Sequence, residues 1–390
     1  MHTMVTDMKD DEGGCPCRDN VVPADQAHAC VPPLQAGHRS FALFVEGDEL
    51  YEAMLADIAA ARTCILMESY IFAADEIGWR FARALAERAA AGIQVRLHLD
   101  AAGFLFWGNR KLKTWLRSQG IRLRLFHRWR WRDPLRYNRR NHRKLLVVDE
   151  ATVYVGGFNI HRESSRAAFG ARRWRDTHVR LGDAVAHSAA RLFDDFWNGR
   201  HRHSIAEQGA VNVLVPNVNR TCRQALHCLF ADSFENAHRL IYLTTPYFVP
   251  DHHSQMKLRE AAQRGVDVRL LVPHKSDHLL VQWAARAAYA KLLDAGVSIY
   301  EFLPRMLHSK TVVVDSIWAM VGTANLDYRS LFINHEINLV SRDPLLCQRL
   351  EAQFLLDLEE AEQIMGHQWA LRPWSEHVVE VVGWLARRWL

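Results

Sequence analysis

The chain has 390 residues, of which 49% are hydrophobic and 24% charged, with 49 Lys and Arg against 44 Asp and Glu. These values exclude a disordered or low-complexity protein, and the length suits two domains or one duplicated fold. No stretch of about 18 uninterrupted apolar residues occurs, so the sequence predicts no membrane-spanning helix. The net charge of +5 by itself indicates neither nucleic acid nor membrane as a partner.

Regular structure is predicted from about residue 41 onward, beginning with helical spacing of apolar residues over 49–61. A strand, a helix, a strand, a helix and a strand are then predicted, in that order, at 64–72, 78–92, 93–100, 111–120 and 121–126. Residues 1–38 show no periodicity and no apolar signal segment, so we expect a mobile arm and a cytoplasmic protein.

Four residues of this arm, Cys15, Cys17, His28 and Cys30, form a loose cluster that could hold zinc. Their spacing matches no standard zinc finger, and we expect neither a metal nor another cofactor.

The second half of the chain repeats the order of the first. The corresponding pairs of segments are 64–72 with 240–248, 84–100 with 257–273, and 109–126 with 288–302. Two such runs of alternating strands and helices indicate a duplicated α/β unit, with any active site near the interface of the halves. The predicted divisions are the arm at 1–38, repeats at 39–205 and 206–368, and an amphipathic C-terminal segment at 369–390.

Each half ends in the same polar constellation, NHRKLLVVDEATVYVGGFN (141–159) in the first and LHSKTVVVDSIWAMVGTAN (307–325) in the second. In both, His-x-Lys opens an apolar strand with the two side chains on one face, Asp ends that strand, and Gly-x-x-Asn closes a second strand. The residues are His142, Lys144, Asp149, Gly156, Gly157 and Asn159, and His308, Lys310, Asp315, Gly322, Thr323 and Asn325.

These residue types suit phosphodiester chemistry. One imidazole can act as nucleophile and the other as general acid, while the Lys and Asn side chains can bind the nonbridging oxygens of the phosphate. No carboxylate–His group has metal-ligand spacing, which favours a metal-free reaction. A single His-x-Lys is more often a surface pair than a site, but two copies at matching points of a duplicated unit favour one shared site.

This double His-x-Lys-x4-Asp pattern closely resembles the phospholipase D superfamily, over about residues 40–365. The resemblance implies two tandem repeats, each a mixed β-sheet flanked by helices, packed with pseudo-twofold symmetry around one active site. It also implies a phosphohistidine intermediate, with His142 as the nucleophile and His308 as the acid and base, although the family does not make this assignment uniform.

In that family a carboxylate downstream of each motif orients the histidine, and the matching candidates are Glu336 in the second half and Asp176 in the first. The offset between halves pairs Glu336 with Gly170, so Asp176 is the less regular candidate. The candidate site residues also include Asp149 and Asp315, for which we expect structural ion pairing ahead of catalysis. Because Gly157 replaces the usual hydroxyl residue, Thr323 is the one hydroxyl residue expected to bind the phosphate. Asn159 and Asn325 are expected to bind it as well.

Within the superfamily, the run GTANLDYRSLFINHEINL (322–339) is similar to cardiolipin synthases, as are 69–103 and 246–248. The resemblance is to the shorter type, which lacks N-terminal membrane spans. It implies transfer of a phosphatidyl group from one phosphatidylglycerol to the glycerol hydroxyl of a second, with cardiolipin and glycerol as products. A phosphatidylethanolamine donor stays open.

Two segments are candidates for membrane contact. Residues 126–144 interleave Arg with Trp and Tyr, and 373–390 place apolar residues at helical spacing beside two Arg. The alternatives are a solvated basic loop or nucleic-acid groove for the first segment, and a helix packed on the core for the second. We expect phosphatidylglycerol and an anionic membrane as partners, no nucleic acid, and a peripheral location on the cytoplasmic face of the cell membrane.

Three other functions compete with this interpretation: a hydrolytic phospholipase D, a nuclease of the same superfamily, and a catalytically silent binding protein. Two complete motifs argue against the last. Transfer and hydrolysis share one intermediate, and the exclusion of water decides between them.

Overall fold

The computed structural model describes residues 41–127, 138–200, 210–276 and 278–373, together with Glu380 and Gly383. The predicted arm at 1–38 and its Cys/His cluster lie outside these residues.

The first half of the chain builds a seven-stranded mixed sheet. Its strands in chain order are β1 (Phe41–Phe44), β2 (Cys64–Ser69), β3 (Gln94–Asp100), β4 (Arg122–Phe126), β5 (Leu145–Val148), β6 (Thr152–Gly156) and β7 (His178–Gly182). Their spatial order is β1-β7-β6-β5-β2-β3-β4. Strands β2, β3 and β4 run parallel, and the remaining neighbours pair antiparallel.

The second half builds an eight-stranded sheet with the same plan. Its strands are β8 (Asn212–Pro216), β9 (Leu240–Thr244), β11 (Asp267–Pro273), β12 (Ser298–Phe302), β13 (Thr311–Val314), β14 (Trp318–Gly322), β16 (Ile337–Ser341) and β17 (Ala361–Ile364). Their spatial order is β17-β12-β11-β9-β13-β14-β16-β8. A short pair, β10 (Phe248–Val249) with β15 (Leu326–Asp327), lies beside this sheet. Apart from β17, each strand of the second sheet therefore has a counterpart in the first.

Helices connect the strands of both sheets. Those of the first half are α1 (Gly47–Ala60), α2 (Glu76–Ala90), α3 (Ala101–Trp107), α4 (Arg110–Ser118), α5 (Arg166–Phe169) and α6 (Asp183–Trp197). Those of the second half are α7 (Arg220–Glu235), α8 (His252–Gln263), α9 (Leu279–Leu293), α10 (Tyr328–Phe332), α11 (Pro344–Glu359) and α12 (Gly366–Ala370). Side-chain caps start several of them: Asp75 accepts from an amide of α2, and Asp343 accepts from two amides of α11.

The α/β class and the two tandem mixed sheets are confirmed. The predicted strand over 64–72 ends at Ser69, because the Ser69 hydroxyl donates to the Ile71 carbonyl and turns the chain. Thr245 makes the same turn after β9. Helix α3 was not predicted from the sequence. The predicted boundary between repeats falls within 201–209, which lie outside the described residues.

One hydrophobic cluster joins the two halves. It contains Val155 and Val179 of the first sheet, Val321 and Leu339 of the second, and residues of α6 and α11. Each sheet has one further cluster on its other face, under the helices of its own half. Each sheet therefore has one face toward its own helices and one toward the shared core, which fixes the halves against each other.

Candidate active site

Each His-x-Lys pair lies at the start of a buried strand in the middle of its sheet. Leu145, the first residue of β5, pairs with Glu68 near the C-terminal end of β2, and Thr311 of β13 pairs with Thr244 of β9. Both motifs therefore lie at the C-terminal edge of the parallel strands, where α/β sheets place their sites.

The two histidines are held by carboxylates of the opposite half. His142 Nδ1 lies 2.9 Å from Glu336 Oε2 and 3.1 Å from Oε1, and His308 Nδ1 lies 2.5 Å from Asp176 Oδ2. The sequence predicts that each carboxylate orients the histidine of its own repeat, Asp176 with His142 and Glu336 with His308. The structure corrects that pairing: each carboxylate crosses to the other repeat.

Backbone contacts repeat this crossing. The His142 amide donates to the His335 carbonyl at 2.9 Å, and the His308 amide donates to the Arg175 carbonyl at 2.7 Å. Each histidine is therefore fixed through both its backbone and its ring by the segment that carries the opposite carboxylate. A carboxylate at Nδ1 favours the tautomer with the proton on Nδ1, which makes Nε2 the reacting nitrogen.

Asp176 and Glu336 occupy equivalent positions, although counting residues pairs Glu336 with Gly170. Gly156 pairs with His178 across β6 and β7, and Gly322 pairs with Asn338 across β14 and β16. Each carboxylate lies two residues before that partner. The residues at 162–172, which form α5 and two short 3-10 turns, account for the longer spacing in the first half.

Both carboxylates are buried and hydrogen-bonded. Ser330 Oγ donates to Glu336 Oε1 at 3.0 Å, and the Thr177 amide donates to Asp176 Oδ1 at 2.7 Å. Burial raises the pKa of Asp176, although nearby Lys310 opposes the shift. Burial lowers the pKa of His142, and Glu336 opposes that shift in part. The neutral imidazole is therefore the favoured form of His142, as a nucleophile requires.

The two lysines follow the histidines by two residues and are almost fully buried. Lys144 Nζ donates to the His142 carbonyl at 2.8 Å, and Lys310 Nζ donates to the His308 carbonyl. Burial lowers the pKa of Lys144 to about 7, and the charge of Lys310 adds to this shift, while Glu336 opposes it. The two lysines therefore act on each other electrostatically within one site, and an anion bound there would favour their charged forms.

Asn159 and Thr323 have structural contacts that the sequence did not indicate. Asn159 Oδ1 accepts from the Ile71 amide at 3.1 Å, so its Nδ2 amide group is the part that can donate to a phosphate oxygen. The Thr323 hydroxyl is fully buried, donates to the Ile337 carbonyl and accepts from the Ile337 amide. The expectation that Thr323 binds the phosphate is therefore corrected, because this hydroxyl joins its loop to β16. Asn325 Oδ1 is buried and has no hydrogen-bond partner among the described residues.

Gly157 leaves room for a site carboxylate. A Cβ at this position would lie 2.0 Å from Asp176 Oδ1, closer than any side chain tolerates. The position of Asp176 therefore explains why a glycine, and not a hydroxyl residue, occupies position 157.

Asp149 and Asp315 lie at the far ends of β5 and β13, away from the histidines. Both have positive φ in tight turns, and each accepts hydrogen bonds from backbone amides at the start of a neighbouring strand. Burial opposes ionisation of Asp149, but amides of Cys64, Thr63 and Arg62 outweigh it and lower its pKa. The expected ion pairing is therefore corrected: the carboxylates bind amides, and they hold strand ends together.

Several aromatic and polar residues around the site were not predicted. The Tyr70 ring lies 5.3 Å from the His142 ring, and the Trp174 ring lies 5.1 Å from the His308 ring. Buried His178 has its pKa lowered to about 3 by burial. Trp174 could have been found from the sequence, because it lies two residues before Asp176; Tyr70 and His178 carry no such signal.

A buried ion pair links the first motif to strand β2. Arg143, between His142 and Lys144, places Nε 2.8 Å from Glu68 Oε2, and both side chains are fully buried. The corresponding residue in the second half, Ser309, instead shares a hydrogen bond of 2.7 Å with Thr177. The two halves therefore hold equivalent strands by different contacts.

The predicted membrane segments lie largely outside the described residues, which lack 128–137 and most of 374–390. Glu380 is buried against Arg372, and Gly383 lies so close to Trp283 and Ala284 that a Cβ would meet their backbone. At Gly383 the C-terminal segment packs on α9. Within the described residues, every helix is too short or too polar to span a bilayer. In the same residues, no group of three or more His, Cys, Asp or Glu is arranged to hold a metal ion.

Two mixed sheets that share one double His/Lys site define a phospholipase D-like protein. A family model described as "Cardiolipin synthase, PLD-like domain" matches residues 54–197 and 230–358, and the chain belongs to this family of phosphatidyltransferases. The major cardiolipin synthase ClsA of Bacillus subtilis (strain 168) is 33% identical over 346 residues, covering 85% of this chain and 71% of the relative. A cardiolipin synthase of Listeria monocytogenes serotype 4b is 33% identical over 342 residues, with the same coverage.

Solved structures agree on the fold. A phosphatidylserine synthase from Haemophilus influenzae Rd KW20 superposes with a TM-score of 0.64 at 14% identity, covering 92% of this chain and 96% of the other. A polyphosphate kinase from Porphyromonas gingivalis gives a TM-score of 0.60 at 16% identity, covering 84% and 49%. At these identities the likeness extends to the fold alone.

Proposed function

We propose that this phosphatidyltransferase joins two phosphatidylglycerol molecules into cardiolipin and releases glycerol. The observation that carries the proposal is the crossed arrangement in which His142 is held by Glu336 and His308 by Asp176. It supplies two imidazoles, each fixed at Nδ1, for the two proton transfers and one covalent bond that such an exchange requires.

In the first step, His142 Nε2 attacks the phosphorus of one phosphatidylglycerol. The bond from phosphorus to the glycerol headgroup oxygen breaks, and His308 gives its proton to that oxygen, so that glycerol leaves. The phosphatidyl group stays on His142 as a phosphohistidine. The lowered pKa of His142 supports its role as nucleophile, because a neutral imidazole has the lone pair that attack needs.

In the second step, a glycerol hydroxyl of another phosphatidylglycerol attacks the phosphohistidine. His308 takes the proton of that hydroxyl, the phosphorus–nitrogen bond breaks, and cardiolipin leaves with both histidines restored. Throughout, Lys144, Lys310 and the Asn159 and Asn325 amides stabilise the charge on the nonbridging oxygens. Asp149 and Asp315 position the strands and do not touch the substrate.

We also propose that the enzyme works on the cytoplasmic face of the cell membrane as a peripheral protein, with an anionic membrane as its partner. The substrate supports this placement, because both reacting lipids belong to a bilayer. Repeats at 39–205 and 206–368 would each contribute half of the site.

The test is incubation of the full chain with phosphatidylglycerol vesicles, followed by separation of the lipid products. We expect cardiolipin and free glycerol in equal amounts. Phosphatidic acid without cardiolipin would make the protein a hydrolase, and cleavage of DNA without lipid turnover would make it a nuclease; either result overturns the proposal.

The assignment of the nucleophile has its own test. With a phosphatidyl donor that is labelled in its phosphate and carries p-nitrophenol as its leaving group, His308→Ala protein should retain more label than wild type, because that leaving group needs no acid while the second step still lacks its base. His142→Ala protein should bind none and make no cardiolipin. An active His142→Ala protein would refute the assigned nucleophile.

A further inference from the structure

Two pairs of exposed apolar side chains occupy matching places in the two halves. Leu105 and Phe106, near the end of α3, are 71% and 78% exposed. Leu279 and Leu280, at the start of α9, are 62% and 43% exposed. Helix α3 follows β3 and α9 follows β11, and these two strands hold the same place in their sheets. Large apolar residues at such exposure, repeated in both halves, indicate a surface that contacts something apolar.

Both pairs lie at the sheet edges where the histidines lie. Each follows the C-terminal end of a parallel strand, and each His-x-Lys pair begins beside the C-terminal end of the neighbouring strand. Helix α3 packs closely against Tyr70, because a Cβ at Gly103 would lie 2.0 Å from the Tyr70 carbonyl oxygen. The Tyr70 ring in turn contacts His142. On the other side, His278 beside Leu279 lies with its ring 5.7 Å from that of Tyr247.

Basic residues lie near both apolar pairs, with a clear excess of positive charge beside the first. Arg110 and Lys111 are exposed at the start of α4, a few residues after Phe106. Lys275 is exposed shortly before Leu279, and Asp277 lies between them in the sequence. The stretch 101–125 carries six basic residues and no acidic one. Apolar side chains beside positive charge match the surface of an anionic bilayer, whose headgroups attract Lys and Arg while its interior accepts Leu and Phe. If a second copy of the chain docked here through the same surface, positive charges would face each other and repel.

We propose that Leu105, Phe106, Leu279 and Leu280 insert into an anionic bilayer and hold the active site against the headgroups. The proposal rests on the proposed function, since a reaction between two lipids needs both in one leaflet. One apolar pair on each half would place the shared site evenly over that leaflet.

The test is sedimentation of the full chain with vesicles of phosphatidylglycerol and phosphatidylcholine in equal amounts. Leu105→Ser/Phe106→Ser and Leu279→Ser/Leu280→Ser proteins should each show vesicle partitioning lowered by roughly tenfold or more, since the transfer of two large apolar side chains is lost. Phe106→Trp should keep the binding. The matched control is Ile317→Ser, because Ile317 is 49% exposed in the β13–β14 turn at the opposite end of the strand from Lys310.

A second readout separates docking from chemistry. Turnover of a short-chain phosphatidylglycerol dissolved as monomers should be the same in the Ser variants as in wild type, which also shows that they are folded. If wild type binds vesicles through these residues but makes no cardiolipin, the proposed function fails and the docking surface stands.

Vesicle partitioning unchanged in both double variants would overturn the docking surface. So would loss of partitioning in Ile317→Ser to the same extent. Dissociation of a lipid-free wild-type dimer by the Ser substitutions, measured by sedimentation velocity, would assign the surface to self-association instead.

Discussion

His142 and Glu336 are 194 residues apart in the chain, and the His142 ring nitrogen Nδ1 lies 2.9 Å from a Glu336 carboxylate oxygen. The matching pair of His308 and Asp176 spans 132 residues. Because each histidine belongs to one repeat and its carboxylate to the other, neither repeat alone contains a complete acid–base pair. Catalysis therefore depends on the packing of the two halves as well as on the motifs.

Removing the charge of a crossed carboxylate should slow turnover with little effect on the fold. We expect Glu336→Gln to lower the rate of cardiolipin formation by about 10²–10⁴-fold, because the neutral amide no longer stabilises a charged His142. The control is Glu150→Gln, in the turn at the far end of β5. A Glu336→Gln protein with the rate of wild type would contradict the role of this carboxylate.

Adding one methyl group at Gly157 should displace Asp176. Its Cβ would lie 2.0 Å from Asp176 Oδ1, so Gly157→Ala must move the carboxylate that holds His308. We expect a loss of activity and a fall of about 1–3 kcal/mol in the free energy of unfolding, measured by urea titration. Gly182→Ala is the matched control, since the nearest described atom to its Cβ would be the Ala151 carbonyl oxygen, at 3.4 Å. Equal effects of the two changes would argue against a steric role for Gly157.

The buried Lys144 should make stability depend on pH. Its pKa is lowered from 10.5 to about 7 in the folded protein, so the unfolded chain holds one more proton between these values. Stability contributed by this residue therefore rises with pH through that window and falls as pH drops toward 7, by about 1.4 kcal/mol per pH unit. The difference in unfolding free energy between wild type and Lys144→Met should follow this slope. Exposed Lys111→Met should show none, and a flat difference for Lys144→Met would contradict the lowered pKa.

The ion pair of Arg175 with Asp357 should hold the two halves together. Arg175 Nε and Nη2 donate to the two oxygens of Asp357 at 3.0 and 2.7 Å, and both side chains are largely buried. We expect Asp357→Asn to lower the unfolding free energy by about 3–5 kcal/mol, because it leaves a buried guanidinium without its countercharge. The exposed pair of Arg80 with Glu52 is the control, and Glu52→Gln should cost less than about 1 kcal/mol. Thermal unfolding of the three proteins measures the difference.

Local patterns predicted much of this molecule. The helix expected over 78–92 is α2 at Glu76–Ala90, and the strand expected over 93–100 is β3 at Gln94–Asp100. Helix α3 was missed because its seven residues, AAGFLFW, are too few to show a helical period. Its exposed Leu105 and Phe106 form one side of the proposed docking surface, so this short helix matters beyond its length.

The sequence by itself determined the duplication and the two His-x-Lys pairs, whose four side chains could do the chemistry. Equal residues at equal places in two repeats can be recognised without a structure. Only the tertiary structure decided which carboxylate serves which histidine. Glu336 reaches His142, and Asp176 reaches His308, because the two sheets pack around one core and bring each strand end beside the opposite half. Such a contact depends on the placement of distant segments in space, which the spacing of residues along the chain does not encode.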